Sequence, residues 1–255
     1  MCLIALEFRP ENPTRLRLMA NRDEFHTRPS AGLGAWKDAP SIIGGRDLQG
    51  GGGWMAMHRQ GRFAAVTNVR DPGLVVPASA PSRGDLVRTA LECEDLAQWL
   101  RQLAQGDAWH YAGFNLLASD GEQLWHLYRG QASLELSTVP PGIHGLSNAS
   151  LNTPWPKVLN VCRGLAESRG QDWPARALAH FGDTAQAADH RLPDTGIEPA
   201  LERRLSSAFI LGEDYGTRST TWLEWYDSGD FFLQERRYAP WGRWLGERQH
   251  DTRNA

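Results

Sequence analysis

Met1-Cys2-Leu3-Ile4-Ala5-Leu6-Glu7-Phe8 opens the chain, and Leu16-Arg17-Leu18-Met19-Ala20-Asn21 follows it across Pro10-Glu11-Asn12-Pro13. Two apolar runs joined by a proline turn predict a hairpin of strands at residues 2–8 and 16–21. Its second strand returns to Cys2 and delivers Asn21-Arg22-Asp23-Glu24 at its end. If Met1 is removed, Cys2 becomes the first residue, carrying a thiol and an α-amine with ordinary pKa values near ~8.5 and ~7.7–8.0. A nucleophile then sits beside a base that titrates near neutrality, and no distant histidine is required. The other reading of Cys2 is a small apolar residue that begins a buried strand.

Outward from this hairpin, composition narrows the classes. A chain of 255 residues buries a substantial core and is read as one domain over residues 1–255. With 27 basic against 30 acidic side chains the net charge is −3, which gives no reason to expect a nucleic-acid partner. Cys2, Cys93 and Cys162 are too far apart for a disulfide framework or a zinc knuckle, and a reducing compartment fits them. No segment approaches ~18 uninterrupted apolar residues and the start lacks the form of a secretory signal, so no integral membrane segment and a cytoplasmic location are expected. Eleven tryptophans suit a large core or a cavity for a flat apolar ligand.

Along the chain, the glycine-rich segment from Arg28-Pro29 to Gly53 lacks periodicity and reads as a long loop, its glycines forming a pocket lid. A second hairpin is predicted at residues 54–58 and 62–69, with Asn68 at its far end. Ser82-Arg83-Gly84-Asp85 has the form of a capping box, and Asp95 caps a following helix that runs to Gly106. Residues 112–119, 123–129 and 132–138 form a meander that turns at Asp120-Gly121. A short strand over 144–147 precedes a helix capped by Thr153, and further helices are predicted at 175–181 and 199–205. Strands at 209–211, 220–226 and 231–238 follow, and residues 243–255 read as a fraying polar tail. Antiparallel hairpins interrupted by grouped helices make the class α+β.

Met1-Cys2, Asn21-Arg22-Asp23-Glu24-Phe25, Thr67-Asn68, Ser82-Arg83-Gly84-Asp85-Leu86, Gly113-Phe114-Asn115-Leu116, Gly145-Leu146-Ser147-Asn148, Thr153-Pro154-Trp155 and Gly216-Thr217-Arg218 together resemble the NRDE family, also called the transport-and-Golgi-organisation family. That family is distantly similar to the N-terminal-nucleophile hydrolases of the choloylglycine hydrolase and penicillin V acylase group. The resemblance implies a four-layer αββα sandwich of antiparallel sheets. It also implies Cys2 as nucleophile, Asp23 as the carboxylate that orients its amine, Asn148 as an oxyanion donor and Arg218 as the cation near the thiolate. Asn68 could add a second oxyanion donor. The hydrolase group carries an arginine three residues before its aspartate, whereas this chain has Ala20 there and Arg22 next to Asp23.

Two functions follow from the resemblance. One is an N-terminal-cysteine hydrolase that cleaves a non-peptide amide, thioester or ester of a small acylated molecule, with no cofactor. The other is a non-catalytic carrier of haem or of an acyl-CoA or lipid, with any haem held non-covalently; haem trafficking and lipid handling are both linked to relatives. The glycines at 44–45 and 50–53 lack the lysine and strand-to-helix setting of a phosphate loop. The eight histidines include no His-x-x-x-His pair, and no metal site is expected.

Overall fold

The opening hairpin forms as its apolar pattern dictates. Strand β1 is Cys2–Phe8 and β2 is Thr14–Phe25, so the Asn21–Glu24 tetrad lies inside the second strand and not beyond it. The structure is a computed structural model that describes residues 2–168, 170 and 172–253.

The remaining strands are β3 (Ser30–Trp36), β4 (Ala39–Asp47), β5 (Met55–His58), β6 (Arg62–Asn68), β7 (Phe114–Ser119), β8 (Leu124–Arg129), β9 (Leu134–Thr138), β10 (Gly142–Leu146), β11 (Tyr215–Tyr226), β12 (Phe231–Ala239) and β13 (Arg243–Asp251). The helices are α1 (Gly84–Glu92), α2 (Leu96–Ala104), α3 (Pro156–Glu167), α4 (Trp173–Phe181) and α5 (Pro199–Arg204). Among the described residues the strands form a six-stranded sheet in the order β10-β1-β2-β11-β12-β13 and a seven-stranded sheet in the order β3 to β9, every pairing antiparallel.

Strand alternation sorts side chains into layers. Ile4, Leu6, Phe8, Leu16 and Leu18 meet Ile43, Met57, Phe63 and Leu117 of the opposite sheet in one core. The other faces are covered by helices: Leu3, Ala5 and Met19 pack against α3 and α4, and Ala64, Val66 and Leu116 against α1 and α2. Helix, sheet, sheet, helix is the four-layer αββα sandwich that the resemblance implied. No helix among the described residues is long and apolar enough to cross a membrane.

Several local expectations are corrected. The supposed glycine-rich loop is the β3–β4 hairpin. Its glycines allow close approach: a Cβ on Gly44 would lie 2.6 Å from that of Ala56, and one on Gly45 would lie 1.9 Å from the Trp54 ring. Such glycines erase the apolar alternation that marks a strand. The reading of 209–211 as a strand fails, because those residues lie between α5 and β11. The polar segment after Arg243 is strand β13 on the sheet edge, held by the β12 ladder and by Arg236 paired with Glu247. The Ser82 capping box does not form: α1 is entered from Arg83, and Ser82 Oγ accepts from the Gly84 N–H instead. Thr153 is not the cap of α3, since its hydroxyl donates to the Ser150 carbonyl and Trp155 precedes the helix. Asp95 does cap α2, accepting from the Gln98 N–H at 2.8 Å.

Candidate functional site

Pairing of β1 with β2 sets Cys2 directly opposite Arg22. Cys2 continues the alternation of Ile4, Leu6 and Phe8, and Arg22 that of Leu16, Leu18 and Ala20, so both side chains stand on the face between the sheets. Asn21 and Asp23 continue the alternation of Met19 and face the α3–α4 layer. Where the inter-sheet core ends, a cavity of about 440 Å³ opens, lined by Cys2, Arg22, Asp23, Trp54, Asn68 and Arg83 among others. Trp54 is its one tryptophan among the described residues, so the tryptophan count is not explained by this cavity. Gly50 and Gly53 belong to the wall, in a turn held by hydrogen bonds between Asp47 and the Gly51 and Gly52 backbone, so the expected lid is a fixed wall. A Cβ on Gly52 would lie 2.3 Å from the Gly84 carbonyl carbon, which locks this turn against the start of α1.

Cys2 is 7% exposed, and burial pushes its thiol above the ordinary range. At rest the sulfur keeps its proton. Around it stand three guanidinium groups. Arg22 stacks on Trp54, with Cζ 4.6 Å from the ring centroid, and donates to Ser30 Oγ at 3.1 Å. Arg28 is neutralised by Asp47, at 2.7 Å, with Glu24 at 3.9 Å. Arg83 donates from Nη1 to the Gly113 carbonyl at 3.1 Å. Among the described residues neither Arg22 nor Arg83 forms an ion pair.

Behind the sheet lies a buried polar cluster. Asp23 accepts from Thr217 Oγ1 at 2.7 Å; burial pushes its carboxyl up, while Lys157 opposes this. Lys157, in the first turn of α3, donates to the Leu205 carbonyl at 2.8 Å, and burial lowers its pKa to about 8. Arg70 pairs with Glu202 nearby. Asn21 serves structure: it is fully buried, donates to the carbonyls of Phe181 and Ala208 at 2.8 Å each, and accepts from Thr220 Oγ1. The expectation that Asp23 orients a Cys2 amine depends on the removal of Met1, which lies outside the described residues.

The turn after β10 joins this region to the second sheet. Asn148 is fully buried, outside the cavity lining, and its Nδ2 donates to the Asn68 backbone carbonyl at 2.8 Å. Ser147 Oγ donates to the Cys2 carbonyl and to Asn148 Oδ1, at 3.2 Å each. Thr67 Oγ1 donates to the Ser147 carbonyl, and Asn115 donates to Thr67 Oγ1 and the Ala149 carbonyl. Because Asn115 Oδ1 accepts, His126 holds its proton on Nε2; burial lowers its pKa to about 4, so it stays neutral.

Cys2, Arg22, Asp23 and Asn68 therefore gather at one end of the hairpin, with Asn148 behind Asn68. Arg218 does not join them. A register shift between Thr217 and Ser219 interrupts the β11 ladder at this residue, and the guanidinium braces the turn after β2, donating to the carbonyls of Phe25 and Arg28. Arg83 supplies a cation to the cavity in its place. Sequence reasoning missed Arg83 and Lys157 as site residues, because Arg83 read as part of a capping box and no local pattern singles out Lys157.

The family model described as Transport and Golgi organisation 2 matches residues 1–240. The Transport and Golgi organization protein 2 homolog of Bos taurus is 34% identical over 249 residues, 87% of each chain, and that of Homo sapiens 33% over 248, again 87% of each. Among solved structures, the C2A mutant of the conjugated bile acid hydrolase from Clostridium perfringens aligns with a TM-score of 0.48 at 8% identity, over 100% of this chain and 93% of that one. The Caenorhabditis elegans ortholog of N-acylethanolamine-hydrolyzing acid amidase aligns with a TM-score of 0.40 at 6% identity, over 71% and 85%. On the strength of the family match and these two relatives, the chain belongs to the Transport and Golgi organisation 2 family.

Proposed function

We propose that the protein is an N-terminal-cysteine hydrolase that cleaves a non-peptide amide, thioester or ester of a small acylated molecule. The observation that carries this reading is Cys2 at the start of β1, lining a cavity of about 440 Å³ beside Asn68 and two arginines that form no ion pair among the described residues. With Met1 removed, the α-amine of Cys2 takes the thiol proton and the sulfur forms a bond to the substrate carbonyl carbon. Asn68 donates to the resulting oxyanion, and Asn148 holds Asn68 through its backbone carbonyl; loss of one such donor typically costs about 10²–10³ in rate. The leaving group departs with the proton from the ammonium, and water then releases the acyl group. Because burial holds the thiol in its protonated form, a base at the sulfur is required.

That same raised thiol favours a second reading, a carrier that binds an acylated molecule without attacking it. Haem as the cargo fits the residues less well. Among the described residues no histidine lines the cavity, and its soft donor is the protonated Cys2.

Intact mass measurement and an electrophilic acyl probe separate these readings. The hydrolase requires a protein lacking Met1 and labelled on Cys2, with no labelling of a Cys2→Ala variant. Retained Met1 with an unlabelled Cys2 and saturable ligand binding would establish the carrier.

A further inference from the structure

The cavity wall is not electrically uniform. Asp23, Glu24 and Asp47 line it together with three arginines. Arg28 pairs with Asp47 and lies 3.9 Å from Glu24, Glu24 also acts on Arg83, and Asp23 is held from the other side of the sheet by Thr217 and by the charges of Lys157 and Arg70. Arg22 and Arg83 remain, two cations in the wall of the cavity that Cys2 also lines. Arg22 is oriented by Ser30 and by the Trp54 face, and Arg83 by a single bond from Nη1 to the Gly113 carbonyl. A guanidinium offers five N–H donors, so these contacts leave donors over on both groups. Arg83 is pulled from water by its surroundings, and burial lowers its pKa while Cys2 and Glu24 oppose this. A partly desolvated guanidinium without an ion-pair partner strongly attracts a carboxylate, sulfonate or phosphate. Apolar side chains complete the wall: Trp54, Val66, Val76 and Ala112.

We infer that the Cys2 cavity selects acylated molecules carrying an anionic group, with Arg83 as the specificity-determining cation, Arg22 supporting it, and the apolar wall taking the acyl chain. This deepens the proposed function and rests on the Cys2 cavity being the ligand site; it holds for a hydrolase and for a carrier alike. Carboxylate, sulfonate and phosphate share the required chemistry.

The test is binding by a Cys2→Ala protein, in which turnover is removed. Hexanoylglycine and hexanoylglycinamide differ only in the carboxylate, and calorimetric titration of each gives the selectivity directly. The charged compound is expected to bind at least about ten-fold tighter, in keeping with one charge-assisted hydrogen-bonded pair. Raising the salt concentration should shrink this ratio, and Arg83→Met on the Cys2→Ala background should bring it to about one. Should Arg83→Met fail to fold, Arg83→Lys serves, with a ratio at least about three-fold below that of the Arg83 protein, because an ammonium lacks the planar fork. Equal binding of the two compounds, binding of neither, or a ratio unchanged by the Arg83 variant would overturn the inference. Replacing hexanoylglycine with hexanoyl phosphate or hexanoyltaurine identifies which anion the site prefers. Labelling of wild-type Cys2 by an uncharged acyl probe is read separately, so failure of the hydrolase chemistry and failure of anion selection are distinguishable.

Discussion

Lys157 is 4% exposed and its pKa is lowered from 10.5 to about 8, first by burial, with Asp23 opposing. Its charge is therefore a burden on the folded state at neutral pH. Below about 8 the lysine is protonated in both folded and unfolded chains, and the penalty is constant. Between about 8 and 10.5 the unfolded chain binds the proton and the folded chain does not, so stability rises with pH. Above 10.5 both forms are neutral and the rise ends. A shift of this size corresponds to about 3 kcal/mol, from about 1.4 kcal/mol per pH unit. Urea unfolding of wild type and Lys157→Met at pH 7.5, 8.5, 9.5 and 10.5 measures it. Other alkaline groups, such as Cys162 with its pKa raised to about 11, contribute to both proteins and cancel in the difference. The stability of wild type minus that of the variant should grow by about 3 kcal/mol across the series. Parallel curves, with a difference constant to within about 0.5 kcal/mol, would refute the claim that Lys157 is a buried and reluctantly charged group.

Asn21→Leu should lower stability by about 3 kcal/mol or more in chemical unfolding, because it strands the carbonyls of Phe181 and Ala208 and the hydroxyl of Thr220 in a dry layer; a loss under about 1 kcal/mol would show that water reaches them. Arg218→Ala should lower the melting temperature by releasing the Phe25 and Arg28 carbonyls while leaving the pH profile of Cys2 alkylation in place. That profile, followed by peptide mass spectrometry, should climb beyond the ordinary thiol range because burial raises the Cys2 pKa. A plateau near neutral pH in wild type would contradict the burial of the Cys2 thiol, and a shifted profile in the variant would contradict this placement of Arg218.

The site illustrates which contacts can be read in advance. Cys2 and Arg22 meet because two neighbouring strands pair across a short proline turn, and the turn alone fixes their register. Asn68 was legible as the far end of a second hairpin, and the Thr67, Asn115 and Ser147 motifs proved to be the hydrogen bonds that pin the 147–149 turn between sheets. Arg218 entered through the family resemblance alone, as the cation near the thiolate. A register shift in the β11 ladder, invisible in the pattern of residue types, sends its guanidinium to the turn after β2 instead.

By itself the sequence determined the opening hairpin, the meander of β7 to β9, the start of α2 at Asp95 and the α+β class. Those depend on periodicity and capping, which act over a few residues. Tertiary structure alone decided that the glycine-rich segment is a hairpin, that the polar C-terminal segment is an edge strand, and that Arg83 and Lys157 converge on the Cys2 region. A glycine that lets two backbones approach leaves no mark except a missing side chain. A cation delivered by a helix start some eighty residues away is placed by how sheet and helix layers stack. The packing energy that fixes such long-range placements belongs to pairs of surfaces, and a linear pattern describes only one member of each pair.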